Sequence, residues 1–212
     1  MPAPTPSVRL RRLPKRGAHD RATIDAILDE ALVCHLGFVH EGRPFVIPTL
    51  HARVGDHVLI HGSAASRALR TLAGGAEVCL TATLIDGLVL ARSAFHHSVN
   101  YRSVLLLGTA TLVESPDEKQ AALEAFTERM VPGRWEHIRR PNRKELKGTS
   151  VLTLSIDEAS AKLRTGPPVD DEEDHALDVW AGVVPLATTV GTPVPDPLLR
   201  PAIPIPPHVT DL

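Results

Sequence analysis

The sequence predicts an α+β fold that is mainly β, an antiparallel barrel with a few short helices inserted between its strands. Three observations predict it. About seven apolar segments rich in β-branched residues are separated by short connections carrying Gly and Asp, and three further segments carry the helical period. The prolines, 19 in all, gather towards the chain ends. Composition agrees with a globular chain: 43% of the 212 residues are hydrophobic, 23% are charged, and the net charge is −2, which excludes a wholly disordered chain and a collagen-like or coiled-coil fibre.

The elements follow in order. From Asp20 to Ala31, Ile24, Ile27, Leu28 and Ala31 recur at helical spacing opposite an acidic face, which predicts a short amphipathic helix. Leu32 to Val39 and Arg43 to Arg53 then read as a hairpin turned by His40-Glu41-Gly42, and a turn at Val54-Gly55-Asp56 leads into a strand from His57 to His61. Ser63 is placed to cap a helix running to about Ala73, which Gly74-Gly75 ends. Ala76 to Ile85 and Leu88 to Phe95 read as a strand pair about an Asp86-Gly87 turn, followed by a long strand from Tyr101 to Glu114. Ser115 as cap, Pro116 at the first helical position and the acids Asp117 and Glu118 predict a helix from Pro116 to about Met130. A basic stretch precedes a last core strand, Ser150 to Ile156.

Four prolines in the first 16 residues and eight in the last 28 predict extended ends, since proline fixes φ and removes a ladder donor. The expected organisation is an N-terminal arm over 1–17, a folded unit over 18–186 and a Pro-rich tail over 187–212. No apolar run approaches the ~20 residues that span a bilayer, and the basic N-terminus has no apolar stretch after it, so neither a membrane segment nor a secretory signal is expected. Cys34 and Cys79 read as buried free thiols, and the expected location is cytoplasmic.

The segment from His61 to Arg70 carries the most chemistry. If the helix starts at Ser63, then Ser63, Ser66, Arg67 and Arg70 share its N-terminal face, where free N–H groups and the helix dipole favour a phosphate. The same residues equally fit a plain cap with solvated arginines. A second polar cluster, Ser93 to Ser103 with His96, His97, Asn100, Tyr101 and Arg102, either pairs internally or meets a ligand, because buried donors need partners. Of the eleven histidines, His57 and His61 face one side of a strand but stand some 13 Å apart, too far to share a metal. No metal site is expected. The basic run Arg134 to Lys147 is broken by Glu136 and Glu145 and holds one aromatic, Trp135, so no nucleic-acid partner is expected. No nucleophile and base stand together, so any chemistry would belong to a bound cofactor.

Taken together, several segments resemble the flavin-binding split-barrel family related to pyridoxamine 5'-phosphate oxidase, in its nitroimidazole-resistance-protein-like branch. They are Leu36-Gly-Phe-Val with Gly42-Arg-Pro44 and Ile47-Pro48-Thr49, His61-Gly-Ser-Ala-Ala-Ser-Arg67, and Asn100-Tyr-Arg-Ser-Val104 with Gly108. Ser160-Ala-Lys-Leu-Arg164-Thr-Gly166 and Trp180-Ala-Gly-Val-Val-Pro185 complete the set, so the likeness covers about residues 15–186. The resemblance implies an antiparallel split β-barrel that forms a homodimer with two FMN sites at its interface. It implies that His61, Ser63, Ser66 and Arg67 hold the phosphate and ribityl chain, and that Pro48 and Thr49 lie alongside the flavin. Tyr101, Arg102 and Ser103 would reach the cofactor from the next strand, with Lys162, Arg164 and Trp180 closing the site. The implied activity is flavin-dependent hydride or electron transfer to a small organic substrate. The alternatives are a non-catalytic flavin-nucleotide carrier or a split barrel that takes FAD, deazaflavin F420 or haem.

Overall fold

The computed structural model describes residues 8–212. The first seven residues of the predicted N-terminal arm lie outside the described residues. Pro14–Arg16 form a single 3-10 turn, and β1 (Gly17–Ala18) pairs with a strand near the end of the barrel. α1 (Arg21–Glu30) begins where Asp20 accepts from the Thr23 N–H at 2.8 Å, and it buries the apolar face read from the sequence, Ile24, Ile27 and Leu28.

β2 (Val33–His40) and β3 (Arg43–Val54) form the expected hairpin, with Glu41 and Gly42 both at positive φ in its turn. β4 (His57–Ser63), α2 (Arg67–Ala73), β5 (Glu77–Leu90), β6 (Ser98–Thr109) and β7 (Thr111–Leu112) follow. α3 (Pro116–Met130) has the predicted cap, Ser115 accepting from the Glu118 N–H at 3.4 Å. α4 (Arg143–Gly148) starts with a capping box between Asn142 and Glu145. β8 (Thr149–Ser155), β9 (Ala159–Arg164), β10 (Gly182–Pro185) and the single turn α5 (Pro207–Thr210) complete the chain.

The strands run antiparallel in the order β1-β9-β6-β5-β2-β3-β4-β8-β7, with β10 added to β5. Neither end strand pairs with the other, so the sheet curls into an open, split barrel. Its interior is filled by alternate residues, among them Cys34 and Leu36 of β2, Val58 and Ile60 of β4, Leu80 and Ala82 of β5, Leu106 of β6 and Leu152 and Leu154 of β8, while α1 and α2 close it. A smaller cluster lies outside the barrel, where α3 lays Ala122 and Phe126 on Ala52, Leu59 and Val151.

Three sequence expectations are corrected. The Asp86-Gly87 pair does not turn the chain. β5 runs on through it with a bulge, the register against β6 slipping between Ile85↔Tyr101 and Gly87↔Asn100. The predicted second strand of that pair is therefore the continuation of the first. Ser63 does not cap α2: β4 keeps pairing with β8 as far as Ser63↔Thr149, which holds Ser63 in strand geometry and moves the cap to Ser66. The long strand expected from Tyr101 to Glu114 stops at Thr109, and only Thr111–Leu112 resume pairing, with β8. The short pieces β9 and β10 and the helix α4 carry no sequence signal among those read above, and the structure adds them.

Candidate functional site

The β4–α2 junction is built by local hydrogen bonds. The Ser63 Oγ accepts from the Ala65 N–H at 3.2 Å, and the Ser66 N–H donates to the Ser63 carbonyl at 2.9 Å, so the chain turns tightly before Arg67. The Ser66 hydroxyl makes no cap bond to the helix. The Arg67 guanidinium lies over the Phe45 ring at 4.3 Å. Among the described residues no carboxylate lies within ion-pair distance of Arg67 or Arg70. His61 shares the outward face of β4 with Leu59, and its ring sits 4.1 Å from that of Phe126. Its Nδ1 is buried without a partner, and burial lowers its pKa, so the ring is neutral at pH 7.

Pro48 and Thr49 are successive residues of β3, facing His35 and Cys34 of β2 respectively, and so project to opposite faces. A ligand lying on one face of the sheet meets the side chain of only one of them. Pro48 belongs to the outer face, where one ladder row runs Pro48, His35, Thr81, Leu105 and Ser160 across five strands.

Tyr101, Ser103, Lys162 and Arg164 pair across β6 and β9, as Tyr101↔Arg164 and Ser103↔Lys162. Ser103 donates its hydroxyl to the Lys162 carbonyl at 3.2 Å, and both residues line a groove of about 440 Å³ with Thr81, Thr83 and the segment from Val8 to Arg11. Arg102 points to the other face. It forks between Glu30 of α1 (Nη2–Oε1 2.7 Å) and Asp86 of the bulge (Nη2–Oδ1 2.7 Å, Nε–Oδ2 3.0 Å). These bonds hold the Glu30 carboxyl below its ordinary pKa and raise that of Arg102. Arg164 is buried, bonded to Asn100 Oδ1 and to the carbonyls of Gly166 (3.3 Å) and Pro167 (3.2 Å). Trp180 stays largely exposed, its ring folded over Gly182, where a Cβ would come within 2.9 Å of it.

The polar cluster from Ser93 to Ser103 mostly pairs within the protein. His97 Nδ1 donates to the Ser93 carbonyl at 2.9 Å, His96 reaches Asp171 at 3.3 Å, and the Asn100 amide donates to the Gly166 carbonyl at 3.1 Å. Sequence reasoning misses Asp171, Glu30, Asp86 and Asp170 because each meets its partner through tertiary folding, 16 to 78 positions away. Among the described residues no group of three or more His, Cys, Asp or Glu is placed to hold a metal ion.

The structure thus brings the predicted residues together in two places. Ser63, Ser66 and Arg67 stand at the end of β4, while Tyr101, Ser103, Lys162 and Arg164 stand on β6 and β9. Five strand steps separate β4 from β9, roughly 24 Å along the curved sheet at ~4.8 Å per step.

An open antiparallel barrel whose end strands do not pair, closed by short helices, defines a split-barrel protein. The chain belongs to the pyridoxamine 5'-phosphate oxidase family, whose pattern it matches over residues 20–163. It is similar to the flavocytochrome Anf3 from Azotobacter vinelandii, with 44% identity over 99% of this chain and 97% of that one and a TM-score of 0.94. It is also similar to the FAD and heme binding protein from Mycobacterium smegmatis, with 41% identity over 92% and 96% of the two chains and a TM-score of 0.89. A putative 5-nitroimidazole antibiotic resistance protein from Bacteroides thetaiotaomicron shares the fold, at 21% identity over 69% of this chain and 85% of that one, with a TM-score of 0.58. No curated protein matches the sequence. Everything after residue 163 lies beyond the family pattern, yet the match to the flavocytochrome takes in nearly all of it.

Proposed function

We propose that this protein is a redox flavoprotein of the flavocytochrome kind, a homodimer that holds a flavin and a haem and transfers hydride or electrons to a small organic acceptor. One observation carries the reading: nearly the whole chain, C-terminal extension included, superposes on a flavocytochrome at 44% identity. FAD is preferred to FMN, because the similar protein from M. smegmatis is one that binds FAD and haem.

The residues fit such groups. Among the described residues Arg67 and Arg70 have no counter-ion, the Ser66 hydroxyl has no helix partner, and His61, on the strand that leads into the same turn, carries a buried Nδ1 without a partner. Arg67 and Ser66 would hold a cofactor phosphate. His61, kept neutral by burial, is in the state that ligates haem iron or accepts a hydrogen bond. A bound flavin would supply hydride transfer and a haem one-electron chemistry.

A dimer is supported by the outer face, where Val33, Val39, Val46 and Ile85 are all exposed on neighbouring strands. A second copy on this face would bring its own Ser103 and Lys162 towards the site and so close the five-strand separation. A cytoplasmic location is supported by Cys34 and Cys79, both unpaired and both kept protonated by burial, Cys34 with its pKa pushed up to about 12.

The purified full chain is expected to show the visible bands of oxidised flavin together with a Soret band, and mass spectrometry of the released groups is expected to give FAD and haem. Arg67→Ala with Ser66→Ala should weaken flavin binding at least tenfold, a loss of about 1.4 kcal/mol or more. His61→Ala should shift or abolish the Soret band. Bleaching by NAD(P)H, with recovery on adding oxygen or a nitroaromatic, separates a working oxidoreductase from a carrier. A colourless chain that takes up neither group on reconstitution overturns the proposal.

A further inference from the structure

Past β10 the chain leaves the barrel as a proline-rich arm, and it is pinned at both ends. At the root, β10 lies antiparallel on Gly87–Leu90 of β5, and the Leu186 N–H donates to the Asp86 carbonyl at 3.1 Å. At the tip, α5 returns to the turn after α3, where the His208 ring stacks parallel to His137 at 4.5 Å and Arg134 reaches His208 Nε2 at 3.5 Å. The stretch between has Pro193, Pro195 and Pro197 in alternate positions and no regular structure.

That stretch carries its apolar side chains outward. Val190 is 68% exposed, Val194 90% and Leu198 90%. Isolated exposed residues of this kind are ordinary, but three of them on one tethered segment are a different matter. A free tail that binds something must first lose its conformational freedom, at about 1–2 kcal/mol per ordered residue. Here the two anchors and the fixed proline φ angles have removed much of that freedom beforehand, so covering the three side chains yields nearly all of its hydrophobic gain.

The position of the root indicates what covers them. Leu186, Ala187 and Thr188 share one groove of about 880 Å³ with Thr83 and Ile85, which belong to the outer strand face, and with Arg102. The exposed stretch therefore begins where the exposed sheet face ends. We propose that residues 189–200 form a clasp on a second copy of this chain, extending the dimer interface from the sheet face onto the arm. The inference rests on the homodimer reading given above. The arm lies beyond residue 163, so it adds to the barrel common to the family a contact of its own.

Sedimentation velocity over a range of concentrations tests it on three full-length chains: the natural sequence, Val194→Asp with Leu198→Asp, and Val46→Lys on the outer face. Both arm positions are exposed and outside the barrel, so the double variant should keep the fold, checked by circular dichroism. The expected result is a dimer whose dissociation constant rises at least tenfold in both variants. If Val46→Lys weakens the dimer and the arm variant leaves the constant unchanged, the clasp is overturned while the dimer reading stands, and the arm's partner is something else. If the natural chain is monomeric at every concentration, both fail.

Discussion

His51 offers a quantitative test of the packing around α1. It is 1% exposed, its Nε2–H donates to the Leu28 carbonyl at 2.9 Å, and its Nδ1 has no partner. Burial, with the Arg129 charge beside it, pushes its pKa down from 6.5 to about 4. The sign follows directly. Between these values the unfolded chain binds a proton that the folded chain refuses, so stability present above pH 6.5 is lost as the pH falls towards 4. Over that interval, at 1.36 kcal/mol per unit, the loss from this one group amounts to about 3 kcal/mol. His51→Leu abolishes the titration. Its cost at neutral pH should be only about 1 kcal/mol, because Arg129 also donates to the Leu28 carbonyl, at 2.6 Å, and leaves that acceptor satisfied. Urea unfolding at fixed protein concentration, at about pH 7, 5.5 and 4.5, should show the variant losing less stability than the natural chain by an amount approaching this figure. His61 and His208 are also depressed, but they are common to both chains and cancel in the difference. Parallel curves for the two proteins would refute the reasoning.

Arg129→Met should cost about 3 kcal/mol in urea unfolding, because one guanidinium from α3 caps the carbonyls of Leu28, Asp29 and Ala31 at the end of α1. Gly87→Ala should loosen β10 without unfolding the barrel, since a Cβ there would meet the Val183 Cγ1 and the Val184 carbonyl at 3.0 Å; faster hydrogen exchange at Val184 and Leu186 with unchanged protection in β2 is the expected signature. Arg102→Gln should lower stability by about 1 kcal/mol, modest because Glu30 stays half exposed, and should leave flavin affinity unchanged, whereas Arg67→Ala should do the reverse; urea midpoints and flavin titration check the pair.

The elements legible in the sequence are those whose ends are decided by neighbouring residues. The β2–β3 hairpin carries its own turn, and α3 carries its own cap, proline and first-turn acids. Ser63 failed as a cap for a non-local reason: β8, some ninety positions later, extends the pairing of β4 as far as Thr149. The Asp86-Gly87 pair has the composition of a turn, and only the burial along the folded strand shows the bulge. Buried residues fall on Val78, Leu80 and Ala82 before it and on Gly87 and Val89 after it, so the alternation slips by one residue where a hairpin would have reversed the chain.

The same division runs through the candidate site. The local reading puts Ser66 and Arg67 on one helix face with Ser63; because β4 holds Ser63 in the sheet, the helix starts three residues later, with Ser66 at its cap and Arg67 in its first position. Arg102 and Arg164 were singled out by motif, and motif alone does not tell what an arginine is bound to. The partners of Arg102 are Glu30 and Asp86, 72 and 16 positions away, and Arg164 is held by Asn100, 64 positions away. An arginine with two carboxylates around it has little left for a phosphate, since binding one would first break charge-assisted bonds at 2.7 Å. Among the described residues Arg67 has no such competitor, and this supports the proposed anion grip at the β4–α2 turn more than either motif does. In the proposed dimer the outer-face residues Ser103 and Lys162 would be the groups presented to the second copy.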